Sequence, residues 1–250
     1  MSILKDKVAL VTGAGSGIGK HVALKYAAEG AKVIVSDIVE KGGKETVDEI
    51  IAAGGQAFFV MADTGKAEDN EYLVQQAIAK YGALHIACNN AGIGGPAAPT
   101  GEYAIDAWEK VISINLSGVF YGMRYQIPAI LKSGGGNIVN MASILGKVGF
   151  ANSVAYVASK HGVIGLTETA AIEYASKGIR INAVGPGFIK TPLVEKSMDE
   201  ASRNALVALH PIGRLGESAE VAELVLWLSS DKASFVTGSY YNVDGGYLAR

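Results

Sequence analysis

Tyr156 and Lys160 stand four residues apart in the segment SVAYVASK. On a helix, side chains at that spacing share one face about one turn apart, so a phenol and an ammonium can occupy one site. A free phenol, with a pKa of about 10, is too weakly acidic to serve as a base near neutrality, but a neighbouring ammonium stabilises phenolate and lowers that value. The pair therefore suits proton transfer. Alone, it is also commonplace on solvated helix surfaces. Ser143 sharpens the reading. It lies thirteen residues upstream in IVNMASILG, after a strand-like apolar run. Its hydroxyl is then expected at the carboxyl edge of a sheet, facing the same crevice, where it can bind a carbonyl oxygen.

A second constellation sits near the start of the chain. The run VALVTGAGSGIGK puts Gly13, Gly15, Gly17 and Gly19 between a first strand and a first helix. Missing side chains there let backbone N–H groups and the positive helix end approach a pyrophosphate, while Gly19 permits close helix-to-strand packing. Glycines alone would equally serve any tight strand-to-helix turn, and the spacing departs from GxGxxG. Asp37 closes the second strand roughly 20 residues later, where an acid can accept hydrogen bonds from both adenosine ribose hydroxyls and repel a 2′-phosphate. That placement favours NAD(H) over NADP(H); the plainer alternative is a solvated aspartate.

These residues need a scaffold that brings strand ends together. Apolar runs rich in β-branched residues recur at Val8–Val11, Lys32–Val35, Ala57–Val60, His85–Ala87, Asn137–Asn140, Ile179–Val184 and Tyr240–Val243. Helical periodicity fills the gaps, as in Ile18, Val22 and Tyr26, or Val221, Leu224 and Leu228. Strands apolar on both faces and separated by helices predict right-handed crossovers and a parallel sheet covered on both sides, a single doubly wound α/β domain over residues 1–250. Ligands then sit beyond the carboxyl ends of the strands. The long segment without clear period, Phe188 to Gly216, is expected to form a substrate lid.

Composition narrows the function classes. The chain has 250 residues, 49% hydrophobic and 18% charged, with 22 basic and 24 acidic side chains and a net charge of −2. That balance gives no electrostatic reason to bind nucleic acid or an anionic membrane, so a small-molecule partner is expected. The sole cysteine, Cys88, excludes an intramolecular disulfide and a cysteine-rich zinc cluster. The charges of MSILKDK leave no apolar signal core, and no apolar run is long enough for a bilayer span, so the expected setting is cytoplasmic. His21, His85, His161 and His210 lack paired metal-ligand spacing, so no metal is expected and each is read as structural or surface.

Thr12 to Gly19 reads TGxxxGxG, followed by NNAG at Asn89 to Gly92, then Ser143, Tyr156 and Lys160. Together these resemble the short-chain dehydrogenase/reductase family, and especially its bacterial NAD-dependent ketoreductases, alcohol dehydrogenases and glucose dehydrogenases. The resemblance extends to Asp244. It implies a Rossmann-type seven-stranded parallel sheet in the order 3-2-1-4-5-6-7. It also implies a catalytic set in which Ser143 polarises the substrate carbonyl, Tyr156 exchanges the proton, Lys160 holds the nicotinamide ribose and Asn115, in ISINLSG, supports a water relay. Standing alone, Asn115 would read as a helix-interior residue bonding its own backbone. By the same resemblance Ser16, Gly17 and Ile18 border the cofactor in the first turn, and Ile38 and Ser16 occupy places where phosphate-preferring relatives carry basic residues. Ala62 and Asp63 would meet the adenine. Asn89, Asn90, Ala91 and Gly92 would stabilise the sheet and flank the cofactor. Pro186, Gly187, Ile189 and Thr191 would contact the carboxamide.

Candidate substrate-lining residues are Ser143, Leu145, Phe150, Phe188, Leu193 and Leu206, with Ile93 and Tyr247 nearby. This mostly apolar set discriminates by size and suits hydrophobic ketones or secondary alcohols. No Arg or Lys cluster marks a site for a carboxylate, although Lys147 or Lys190 could contribute, so an acidic substrate is not expected. The implied reaction is hydride transfer between nicotinamide and a carbonyl carbon. Other readings are a non-catalytic NAD(H) sensor, a sugar dehydrogenase, a 3-oxoacyl reductase, or an epimerase or dehydratase that retains its cofactor. The family analogy further implies a homotetramer, built on the helices around Trp108 to Lys132 and Ala155 to Lys177 and on the terminal run YYNVDGGYLAR.

Overall fold

The sheet is built from short segments in which alternate residues are apolar on both sides. Val8 and Leu10 pack with Ile138, Ile181 and helix residues such as Leu73, Val119 and Val163 in one buried layer. Their neighbours Ala9 and Val11 pack with Val33, Val139, Val22 and Val225 in the other. A strand apolar on both faces can be satisfied only between two helical layers. That is the architecture of the computed structural model, which describes residues 2–191 and 200–250.

Seven parallel strands form the main sheet: β1 (Val8–Thr12), β2 (Lys32–Asp37), β3 (Gln56–Met61), β4 (Ile86–Asn89), β5 (Gly136–Met141), β6 (Ile179–Pro186) and β9 (Tyr240–Val243). Their spatial order is β3-β2-β1-β4-β5-β6-β9, so the expected order holds with β9 as the seventh strand. Two further strands, β7 (Ile189–Lys190) and β8 (Gly216–Glu217), pair with each other outside the sheet. The fourth strand begins one residue later than expected and runs on to Asn89. His85 lies just before it, where its Nδ1 accepts from the Val8 N–H.

The helices are α1 (Gly17–Ala28), α2 (Glu40–Ala52), α3 (Ala67–Tyr81), α4 (Ile105–Ile112), α5 (Gly118–Lys132), α6 (Val154–Tyr174), α7 (Glu200–Ala208) and α8 (Ser218–Ser229). A single π-helical turn, Ser113–Ser117, joins α4 to α5. The Phe188–Gly216 segment, expected to lack regular structure, carries β7, α7 and the start of β8. The nine-residue helix has no counterpart in the apolar pattern because Leu206 is its only buried residue, too few to give a visible stripe. No described helix is long and apolar enough to cross a membrane.

The expected residues of the glycine turn, Asp37, Ala62, Asp63, Asn89 to Gly92, Ser143 and Pro186 lie at or just beyond the carboxyl ends of β1 to β6, while Tyr156 and Lys160 lie on α6, Asn115 in the π turn and Leu206 on α7. Thr12, Asp37, Asn89 and Pro186 are themselves the last residues of β1, β2, β4 and β6.

Candidate active site

The glycine turn is held from below by the end of β4. Thr12 is buried, and its hydroxyl accepts from the backbone N–H groups of Asn90 and Ala91 at 3.0 and 3.1 Å. The Asn90 amide donates to the carbonyls of Thr12 and Gly13 at 2.9 and 3.2 Å. Gly13 and Gly17 adopt φ of 62° and 53°, a region open to glycine at little cost. At Gly19 an added Cβ would strike the Gly13 carbonyl and the Asn90 amide, so the first turn of α1 sits against the loop only because no side chain intervenes. The first turn of α1, whose N–H groups have no intrahelical partners, is thereby brought against the glycine loop without a side-chain cap from Ser16, an arrangement suited to a pyrophosphate.

Asp37 is not a merely solvated acid. Its carboxylate accepts from the Gly15 N–H at 2.8 Å and the Val39 N–H at 2.9 Å, tying the end of β2 to the glycine turn. A carboxylate offers about four acceptor sites, so two remain for ribose hydroxyls. Ile38 beside it is 63% exposed and brings no positive charge. Lys20, the first basic residue of α1, is paired with Glu49 at 2.7 Å. Asp63 caps the turn after β3, accepting from the Gly65 N–H, and Ala62 donates to the Asp37 carbonyl.

Asn89 faces the other way. Its amide bonds reciprocally with Gln126, donating at 3.1 Å and accepting at 2.7 Å, and it donates to Asn140 at 2.9 Å. Of the two asparagines, Asn89 fastens the sheet to α5 and Asn90 holds the turn.

At the reacting end, Ser143 and Tyr156 converge: the serine hydroxyl lies near enough to the phenol to favour its ionised form. Ser143 lies two residues past β5 and is 7% exposed; its Oγ also accepts from the Leu145 N–H at 3.2 Å. Lys160 follows one turn after Tyr156 on α6, with Nζ 5.5 Å from the phenol ring centroid and donating to the Met141 carbonyl at 2.7 Å. Asn115, wholly buried in the π turn, accepts from the Ile93 N–H and donates to the Ile93 carbonyl, both at 2.8 Å. A Cβ placed on Gly92 would stand 3.2 Å from Asn115 Oδ1 and 3.7 Å from Lys160 Nζ, so all four residues border one crevice.

Burial dominates the proton affinities here. It lowers the Lys160 ammonium to about 8. It raises the Tyr156 phenol above its ordinary value, and the Ser143 hydroxyl only partly offsets this. The expectation that the lysine leaves the phenol more acidic is thus reversed in this site, because withdrawal of water from the phenolate outweighs the other influences. The phenol is a protonated donor near neutrality.

Phe188 joins Phe150, His210 and Tyr247 in an aromatic cluster, with ring centroids 5.8 to 6.0 Å from Phe188. Leu145 and Leu206 are buried nearby in sequence to Ser143 and His210, whereas Leu193 falls outside the described residues. His210 is buried and bonded through both ring nitrogens. Its Nδ1 meets the Leu206 carbonyl at 2.8 Å and its Nε2 accepts from the Phe188 N–H at 3.2 Å. Thr191 ends the described part of this loop; Gly187 donates to the Val243 carbonyl, locking the end of β6 to β9. A cleft of about 320 Å³ lies beside Gly187, Phe188, His210 and Asp244 without reaching Ser143 or Tyr156.

The family model described as enoyl-(acyl carrier protein) reductase matches residues 13–248. The chain belongs to the short-chain dehydrogenase/reductase family. Within it, the chain is 55% identical to cyclohexanol dehydrogenase of Acinetobacter sp. (strain SE19), over 98% of this chain and 96% of that protein. The crystal structure of levodione reductase superposes with a TM-score of 0.94 at 38% identity, covering 98% of this chain and 99% of that one. An Agrobacterium tumefaciens protein, provisionally assigned as 2-deoxy-d-gluconate 3-dehydrogenase and holding NADP, gives 0.91 at 36% identity, with 99% and 98% covered. Such short-chain dehydrogenases are oxidoreductases that interconvert alcohols and ketones with a nicotinamide dinucleotide. The glycine turn, the acid at the end of β2 and the crevice above them fit that cofactor in this chain.

Proposed function

We propose that the chain is an NAD(H)-dependent oxidoreductase acting on an apolar, ring-bearing ketone or secondary alcohol, with Tyr156 as the general acid and base. The observation that carries the reading is the convergence of Ser143, Tyr156 and Lys160 on one crevice, with the serine hydroxyl near enough to influence the phenol and the ammonium over its ring. A carbonyl oxygen set against the serine hydroxyl and the phenol would receive two hydrogen bonds where negative charge develops. When bound, the nicotinamide supplies the hydride to the carbonyl carbon or takes it back. Tyr156 gives its proton to the same oxygen during reduction and recovers it during oxidation. Ser143 donates without losing its proton. Lys160 has three N–H donors, one committed to Met141, and the others can hold the ribose hydroxyls and favour the phenolate when the proton leaves. Asn115 ties the loop at Ile93 to the π turn beside Lys160 and supports a water relay.

Asp37, with Ile38 bearing no charge, supports NAD(H) over NADP(H). The apolar lining and the cyclohexanol-oxidising relative support a ring-bearing alcohol over an acidic substrate. Lys147 and Lys190 are both engaged, one over the Tyr240 ring and one with Glu217. The reading includes a lid over residues 188–216, a cytoplasmic setting and a homotetrameric assembly. With NADH and cyclohexanone, or NAD and cyclohexanol, the purified protein should turn over. Tyr156→Phe should lose about 100-fold or more in kcat while retaining NADH binding by fluorescence. Turnover of the variant at the parent rate would overturn the proposal.

A further inference from the structure

The seventh strand reaches into the reacting centre at one point. Tyr240 pairs with Ala183 of β6, yet its side chain leans along β6 and crosses it at Gly185. A Cβ built at Gly185 would overlap the Tyr240 hydroxyl and ring, so this passage exists only because residue 185 is glycine. Beyond it the Tyr240 hydroxyl donates to the Ser143 carbonyl at 2.9 Å. That carbonyl also accepts from the Gly146 N–H at 2.9 Å. With the Leu145 N–H on its Oγ, Ser143 is held from three directions and its hydroxyl proton is left to serve the crevice.

We propose that Tyr240 is a positioning residue for the reaction, fixing the Ser143 main chain through the gap at Gly185 so that the Ser143 hydroxyl stays aligned with Tyr156. The inference rests on the reading of Ser143 and Tyr156 as the reacting pair. Burial raises the Tyr240 phenol, and Asp244 and Tyr156 push it the same way, so it stays a donor across the working range of pH. Lys147 lies over its outer face, with Nζ 5.2 Å from the ring centroid. The ring is thus packed independently of the hydroxyl, and Tyr240→Phe removes the hydrogen bond while keeping the ring.

Expected for Tyr240→Phe are a kcat about 10-fold lower, an unchanged affinity for NADH, and a thermal midpoint lower by no more than about 4 °C. Poorer alignment of Ser143 also weakens the influence by which its hydroxyl opposes the rise in the Tyr156 pKa. The alkaline limb of alcohol oxidation should therefore move to higher pH, which a purely structural loss would not cause. The deciding measurement is a double-mutant cycle with Ser143→Ala, which keeps the carbonyl and removes the hydroxyl. In that background Tyr240→Phe should change kcat by less than about 2-fold, since both act through one group. An equal loss in both backgrounds, or parental kcat for Tyr240→Phe beside a disabled Ser143→Ala, would refute the role of Tyr240 alone. Parental turnover by Ser143→Ala would instead remove the catalytic reading and this inference with it.

Discussion

Tyr156 and Lys160 share one helix turn, and burial drives both toward their neutral forms. That has a kinetic consequence with a defined sign. In the proposed reaction, ketone reduction uses the protonated phenol, which prevails near neutrality because burial raises its pKa. Its rate at saturating NADH should stay level through neutral pH. Alcohol oxidation needs the phenolate, so its kcat should climb as pH rises through the alkaline range; paired initial-rate profiles check both limbs, and an oxidation rate falling with pH would contradict the assignment. Stability has a separate signature. The unfolded chain holds the Lys160 proton up to its ordinary value of 10.5, whereas the folded chain releases it near 8. Between those values the unfolded state binds more protons, so stability rises with pH; below about 8 the full penalty of burying the ammonium, about 3 kcal/mol, is present. Lys160→Met removes that penalty and loses one hydrogen bond worth about 1 kcal/mol. Its thermal midpoint should exceed the parent's at pH 7 and the advantage should vanish by pH 10. The residues of this centre were legible because Tyr156, Lys160 and Ser143 follow a fixed spacing after a recognisable strand. Tyr240 was not. Its contact with Ser143 depends on strand register and on a missing Cβ across a neighbouring strand, neither of which leaves a local pattern.

The strand ends and the first helix act as a jig for the dinucleotide. Gly19 is the point where α1 touches the preceding loop. Gly19→Ala should force α1 away from Gly13 and Asn90, with a cost of about 1 to 3 kcal/mol in stability and loss of NADH binding measurable by fluorescence titration. Asp37 at the end of β2 braces the turn through Gly15 and, in the proposed reading, is also the acceptor for the ribose hydroxyls. Replacing it by serine together with Ile38→Arg removes the charge opposed to a 2′-phosphate and supplies a partner for one. The ratio of kcat/KM for NADH over NADPH should fall by about 100-fold, or about 2.7 kcal/mol; an unchanged ratio would show that discrimination resides elsewhere. Element identity was readable wherever the pattern was strong, since strands apolar on both faces admit only a two-sided helical cover. What escaped was α7, with one buried residue, and the division of labour between Asn89 and Asn90. Adjacent residues leaving a strand point to opposite sides, so one enters the core network with Gln126 and Asn140 while its neighbour holds the glycine turn.

On the whole molecule, large apolar side chains remain uncovered in several places among the described residues, and two of these places lie on or beside the elements expected to form interfaces. Ile105, Trp108, Phe120 and Ile172, at 76, 37, 48 and 83% exposed, lie on α4, α5 and α6. Phe235 is fully exposed in the segment leading into β9. Trp108 belongs to the periodic pattern that would mark a core-facing stripe in an isolated domain, and its exposure is explained if that face is covered by another subunit. Burying such a side chain contributes about 1.5 to 3 kcal/mol, so a few on each partner suffice to anchor an interface of ordinary size. The proposed homotetramer then uses the α4–α6 face for one two-fold contact and the β9 region for the other. Light scattering coupled to size exclusion should give about four times 25.9 kDa. Phe120→Lys combined with Ile172→Glu should halve that mass by placing desolvated charges on the first face, and Phe235→Glu should halve it independently at the second. All three together should yield a monomer of 25.9 kDa. A tetramer surviving the triple substitution would mean that neither apolar region is an interface. A dimer produced by one set and left unchanged by the other would assign the assembly to a single contact.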